Sequence, residues 1–299
     1  MRKLFKFINM KGDKVSNPTK KHIQKNIIDI KEELPKKQKQ VCDYLVEHYD
    51  SIETYTLSDL SHKADVGVST IMRVVKALGF ESYLELRKAI HKEVVATRAT
   101  WWHMQKSFED NQKEHILTDV WSEITKLLEQ TITKSLMYEF DQAVELMVQS
   151  EKISVLGLRT SKAPAVYFGH LMEEFYPHII QLSHESDFIY DRASRLTEKD
   201  TLVLVANAPY TIQSVEVAKF LHERGVSIIL ITDLPSCPAA SYSSIVLNTK
   251  SSKNQYTILP AIALLESLVI EFGRNKSDTS ISHLDELGKV LRERNITSS

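Results

Sequence analysis

The chain is poor in the residues that mark special architectures. Only two cysteines, Cys42 and Cys237, stand in 299 residues. They lie far apart and neither has a CxxC partner, which excludes a disulfide framework. Glycine and proline number eight each, too few for a collagen or a low-complexity chain. No run approaches 18 uninterrupted apolar residues, so no membrane span is expected. The first residues are interrupted by Lys3, Lys6, Lys11 and Lys14 and offer no secretory apolar region, so a reducing cytoplasm is the expected setting. Eleven histidines include no HExxH and no convincing metal spacing. GxSxG, GxGxxG and a Walker A loop are missing too, so neither a metal nor a cofactor is expected.

What is present is ordinary globular composition, with 42% apolar and 26% charged residues. At roughly 150 residues per domain the length implies about two domains. The net charge of −1 hides an asymmetry. Residues 1–110 carry 20 Lys and Arg against 15 Asp and Glu, whereas residues 111–299 carry 18 against 24. Residues 1–25 hold eight basic residues and one acid. A basic front on an acidic body is what a chain needs if only its front meets a polyanion. A solvated basic tail would have the same composition.

Residues 1–29 are expected to form a basic, flexible arm. Residues 30–107 read as short helices, and residues 108–135 as a helical connector. From residue 136 to 275 short aliphatic runs at 153–156, 178–182, 201–205, 227–231 and 244–247 alternate with amphipathic helices near 163–176, 211–224 and 255–272. That alternation predicts an α/β domain with a mainly parallel five-stranded sheet covered by helices. Residues 276–299 are expected to be a closing helix and tail, with Leu284, Leu287 and Leu291 on one face.

The chemistry of the front half lies in one segment. Thr56-Leu57-Ser58-Asp59 is a capping box that starts a short helix. Asp65-Val66-Gly67-Val68 is a tight turn, in which Gly67 can supply a positive φ. Ser69 is expected to cap the next helix, whose Ile71, Val74, Val75 and Leu78 form one apolar stripe. Ser69, Thr70, Arg73 and Lys76 occupy the opposite face, Gly79 ends the helix, and Ser82-Tyr83-Leu84-Glu85 opens another. This is the plan of a helix-turn-helix, whose second helix enters the major groove. The alternative is a helical bundle whose Arg73 and Lys76 are merely solvated.

The run from Val66 through Leu78-Gly79-Phe80 and Ser82-Tyr83-Leu84-Glu85-Leu86 to Arg87 resembles the N-terminal domain of RpiR-family bacterial transcription regulators. Ser69 matches the family serine that starts the recognition helix, and Arg73 the arginine four residues on. The resemblance covers roughly residues 30–107. It implies an all-α helix-turn-helix domain with DNA contacts from Thr56, Ser58, Ser69, Thr70, Arg73, Lys76, Ser82 and Tyr83. The implied partner is double-stranded DNA carrying a pseudo-palindromic operator, read by a homodimer or a dimer of dimers.

In the back half, open sheets place ligands at the carboxyl ends of their strands. One such end is Gly157-Leu158-Arg159-Thr160-Ser161, where hydroxyls, backbone N–H groups and Arg159 suit a phosphate. Simple helix capping by Thr160 and Ser161 is the alternative. The other is Ala206-Asn207-Ala208-Pro209-Tyr210-Thr211. Residues 135–275 resemble the SIS (sugar isomerase) domain that follows the DNA-binding domain in RpiR-family proteins. Gly157, Arg159 and Ser161 match the family's first loop. The resemblance implies a phosphorylated sugar as effector, with Gly157, Arg159, Thr160, Ser161, Asn207, Thr211 and Gln213 as ligand contacts. The family's second loop is Ser-x-Ser-Gly-x-Thr followed by an acid. Here Ala206, Ala208 and Pro209 replace the serines and glycine that hold phosphate, and Gln213 replaces the acid. An unusual ligand, weak binding, or no ligand are the outcomes that follow.

Isomerase chemistry would need a general base, for which His170, Glu173, Glu174, His184, Glu185 and Glu266 are available. Their spacing fits solvated faces equally well, and no catalytic residue is assigned. The reading is therefore a DNA-binding regulator of carbohydrate or amino-sugar genes, not an enzyme. The rivals are a sugar-phosphate isomerase with an accessory domain and a regulator whose SIS-like domain only dimerises. Trp101, Trp102, Phe108 and Trp121 are packing anchors or interface residues.

Overall fold

The computed structural model describes residues 23–49, 51–97, 100–109, 115–252 and 255–296. It divides into two compact units, one up to Val94 and one from Val95 onward. The basic stretch up to residue 22 lies outside the described residues.

The first unit is all helical: α1 (Ile23–Lys31), α2 (Lys36–Glu47), α3 (Leu57–Lys63), α4 (Val68–Ala77) and most of α5 (Tyr83–Thr97). The expected flexible arm is corrected from Ile23 onward, because Ile23 and Ile27, four residues apart, bury one face of α1. The Ile23 N–H donates to the Glu93 carboxylate at 2.9 Å. Val41, Leu45, Ile52, Leu60, Ile71, Val74, Leu86 and Ile90 fill the core. Cys42 lies in it, and burial pushes its thiol up to about 11, leaving it inert at neutral pH.

The second unit opens with α6 (Thr100–Glu109), α7 (Ile116–Thr131) and α8 (Lys134–Gln149). Then β1 (Ile153–Gly157), α9 (Lys162–Glu173), β2 (Ile179–Gln181), α10 (Ile189–Ala193), β3 (Thr201–Val205), α11 (Ile212–Glu223), β4 (Ser227–Thr232), β5 (Ile245–Asn248), α12 (Leu259–Asn275) and α13 (Ser277–Glu293) follow. The five strands pair in parallel in the order β2-β1-β3-β4-β5. Every residue of β1 and β3 is buried, as expected when helices cover both faces.

Alternation along the strands sorts the core into two layers. Val155, Val203, Val205, Ile229 and Ile231 pack with Phe168, Met172, Leu265 and Phe272. Leu156, Leu202, Leu204, Ile228 and Leu230 pack with Val217, Leu221 and Ile189. All carboxyl ends of the strands consequently open on one side of the sheet. The closing helix α13 keeps Leu284 exposed, so its apolar face is only partly covered within this unit.

Candidate functional site

In the first unit the capping box of α3 is complete. The Asp59 N–H donates to Thr56 Oγ1 at 3.1 Å, and the Thr56 N–H returns to Asp59 Oδ2 at 2.8 Å. These bonds hold the Asp59 carboxyl below its usual range. The turn into α4 differs from expectation in two respects. The positive φ falls on Asp65 (+49°), while Gly67 is extended at −68°. Gly67, not Ser69, is the N-cap. The Ser61 hydroxyl donates to the Val66 carbonyl at 2.6 Å, and the Val66 N–H donates to the Ser61 carbonyl. This clamp forces the reversal one residue pair earlier than the glycine. Gly67 offers no side-chain cap, so the first N–H groups of α4 face outward at an exposed helix end, which suits a DNA phosphate.

Along α4, Ile71, Val74 and Val75 are buried, while Ser69, Arg73 and Lys76 are exposed and Thr70 is half-buried. Ser58 is exposed on α3. Gly79, at φ +82°, closes α4 with both Schellman bonds, Gly79 N–H to the Lys76 carbonyl and Phe80 N–H to the Val75 carbonyl. Thr56 and Ser82 are exposed but engaged as caps, the Glu85 N–H donating to Ser82 Oγ at 3.1 Å. Tyr83 is corrected as a DNA contact. It is buried, its hydroxyl donates to the Tyr55 carbonyl at 3.0 Å, and burial pushes the phenol up to about 12.

In the second unit the two strand-end loops are wired to each other rather than open. A side chain at Gly157 would place Cβ 2.1 Å from the Ser161 carbonyl oxygen, so Gly157 is there for close packing. Its N–H donates to Ser183 Oγ at 2.9 Å. Arg159 holds a positive φ of 54° with its side chain exposed. Ser161 is buried, and its Oγ accepts the Asn207 N–H at 3.2 Å. The Ala208 N–H donates to Asp233 Oδ1 at 3.0 Å, and the Ala208–Pro209 bond is cis. Gln213 reaches the Ser186 carbonyl at 3.3 Å, and Thr211 caps α11 without a side-chain bond.

Beside these loops lies a largely enclosed cavity of about 20 Å³, lined among others by His103 of α6, Asn207, Asp233, Ser251 and Tyr256. Asn207 Oδ1 and Ser251 Oγ are buried with no protein hydrogen-bond partner. The Tyr256 phenol is raised by burial, partly offset by Thr160 and Thr100. Of the seven expected ligand residues, only Asn207 lines this cavity. Asp233, Ser251 and Tyr256 were not anticipated, yet they follow β4 and β5, where the strand-end rule already pointed. None of the expected bases lines it: Glu185 pairs with Arg192, and Glu266 accepts the Tyr167 hydroxyl at 2.7 Å. No cluster of three metal-ligating side chains occurs among the described residues. Trp101, Phe108 and Trp121 are exposed, so a packing anchor within the unit fits only the partly buried Trp102.

A helix-turn-helix unit followed by a parallel α/β unit with a polar strand-end cavity has the layout of a two-domain DNA-binding protein. Residues 21–97 match the helix-turn-helix domain, rpiR family, and residues 146–271 match the SIS domain. The chain belongs to the RpiR family of transcription regulators. It is 23% identical to the HTH-type transcriptional regulator HexR of Pseudomonas aeruginosa over 241 residues, covering 80% of this chain and 82% of the relative. HexR of Escherichia coli is 19% identical, with 80% and 81% covered. Among solved structures, the Vibrio vulnificus NanR protein complexed with ManNAc-6P matches with a TM-score of 0.56 at 17% identity, covering 93% of this chain and all of that one. The sugar isomerase domain of an RpiR transcription factor from Sphaerobacter thermophilus gives 0.55 at 21%, covering 58% and 98%. At such identities these structures establish the fold.

Proposed function

We propose that this chain is a cytoplasmic, non-enzymatic regulator that binds a pseudo-palindromic operator as a homodimer or dimer of dimers and senses a carbohydrate-derived effector through its SIS domain. The observation that carries the reading is the pairing, in one chain, of an α4 whose Ser69, Arg73 and Lys76 are free to meet DNA with strand-end loops that enclose unsatisfied polar atoms. No helix among the described residues is long and apolar enough to cross a membrane, which accords with that setting. A phosphorylated effector is supported by the family resemblance and by a relative solved with ManNAc-6P. The spent amides of the second loop do not support a phosphate there.

The test is binding to DNA upstream of the chain's own gene and its neighbours, across a salt series, against a scrambled duplex. We expect a preference of about 10³-fold or more for the native site and a steep salt slope. Equal affinity for both duplexes, persisting with a genome-wide DNA pool and added sugars, would overturn the regulator reading. A second reading, an SIS domain that serves only as a dimerisation scaffold, is favoured by the cavity's size: about 20 Å³ holds one water. Calorimetric silence toward every sugar tested would select it.

A further inference from the structure

We propose that the effector of this chain is an unphosphorylated, hydroxyl-rich molecule, a free sugar or polyol, held at the Asn207–Asp233–Ser251 cavity. The inference rests on the sensor reading above. A phosphate needs N–H or cationic donors directed at it, and this site has turned its donors inward. The Asn207 N–H is committed to Ser161 Oγ and the Ala208 N–H to Asp233 Oδ1, while Pro209 has none. In the first loop the Gly157 N–H is committed to Ser183 Oγ, and the Ser161 N–H to the Leu158 carbonyl. Ser161 Oγ, the surviving loop serine, is buried and already accepting.

Asp233, whose carboxylate accepts the Ala208 N–H, also lines the wall, and a carboxylate offers a phosphate oxygen no donor. Lys250 is the one Lys or Arg among the described lining residues, and it is exposed, where water and salt weaken its pull. What the wall does offer is uncharged: the amide oxygen of Asn207 and the hydroxyls of Ser251 and Tyr256, all buried without protein hydrogen-bond partners. An amide oxygen accepts only, and a hydroxyl both donates and accepts. Sugar hydroxyls complement these groups, whereas a phosphate group set against them, being an acceptor, leaves the Asn207 oxygen unsatisfied.

The experiment titrates the full-length chain, free and bound to its operator, with matched pairs: hexoses, pentoses, N-acetylhexosamines and hexitols, each with its terminal phosphate, plus inorganic phosphate alone. Calorimetry and operator release are both read. We expect at least one unphosphorylated member to bind about tenfold or more tightly than its phosphate. Ser251→Ala and Asn207→Ala, each with an unchanged melting temperature, should weaken it by about tenfold. Asp233→Asn should narrow the gap between the pair. A phosphorylated member that binds more tightly, or competition by inorganic phosphate, overturns this proposal and leaves the sensor reading standing. Silence from every pair overturns both, while specific operator binding would still stand on its own.

Discussion

Gly157→Ala tests the close approach of the two strand-end loops. The added Cβ would lie 2.1 Å from the Ser161 carbonyl oxygen and 2.7 Å from Ala165 Cβ. The first contact is with backbone, so the 159–161 turn must move by about an ångström to reach ordinary van der Waals distance. Forced overpacking costs about 1–3 kcal/mol. The same movement breaks the 3.2 Å bond from the Asn207 N–H to Ser161 Oγ, which adds about 1 kcal/mol. Together that is about 2–4 kcal/mol. In a unit of this size each kcal/mol shifts Tm by about 2–4 °C, so the fall should be roughly 4–16 °C. Scanning calorimetry of the full chain should show it in the SIS unit, with operator Kd unchanged below the transition. Adding Ala165→Gly should recover less than half, because the backbone oxygen remains in the way. A fall under about 2 °C, or full recovery in the double variant, would refute the packing argument.

Three further outcomes are expected. Arg73→Ala should weaken operator binding by about 1–3 kcal/mol if the exposed guanidinium reads a base, and an unchanged Kd at fixed salt would remove Arg73 from the interface. Thr56→Ala removes the capping box and should lower the stability of the helix-turn-helix unit by about 0.5–2 kcal/mol in urea titration. Asp59, held low by Thr56, stabilises above the unfolded carboxylate range and loses that contribution as pH falls through its lowered value; the variant should therefore show a shallower loss on acidification. Tyr83 behaves oppositely, its phenol being raised to about 12. Its contribution is whole below pH about 10 and is lost as pH rises through about 12. Tyr83→Phe should flatten that alkaline loss, and an unchanged profile would place the titration elsewhere.

Much of the fold was legible because its signals are local. The stripe of Ile71, Val74, Val75 and Leu78 announces α4, and aliphatic runs separated by amphipathic helices announce a parallel sheet. Ile23 and Ile27 carried the same spacing in α1, but the lysines before them drew the arm too far. Where tertiary contacts decide, the sequence was silent. Tyr83 reads as an exposed cap neighbour, yet its ring goes inward because Tyr55 and Ile52 supply carbonyls for its hydroxyl. Gly67 reads as the positive-φ residue, whereas the Ser61–Val66 clamp moves that strain to Asp65. The departure from the serines that the family resemblance implies was visible at Ala206 and Ala208. The capture of the remaining amides by Ser161 and Asp233, from residues 46 and 25 positions away, was not.

The position of His103 has a consequence for signalling. The cavity it lines holds about 20 Å³, against about 300–1,000 Å³ for pockets that bury small molecules. A sugar-sized ligand would therefore enter only by displacing a wall. The other walls are loop residues just past β3, β4 and β5 and the first turn of α12, whereas α6 lies outside the sheet with Trp101, Met104 and Phe108 exposed along its length. It also begins three residues after α5, the last helix of the DNA-reading unit, ends at Thr97. If effector and operator each favour one setting of α6, linkage makes the effect two-way: each must alter the other's affinity by the same factor.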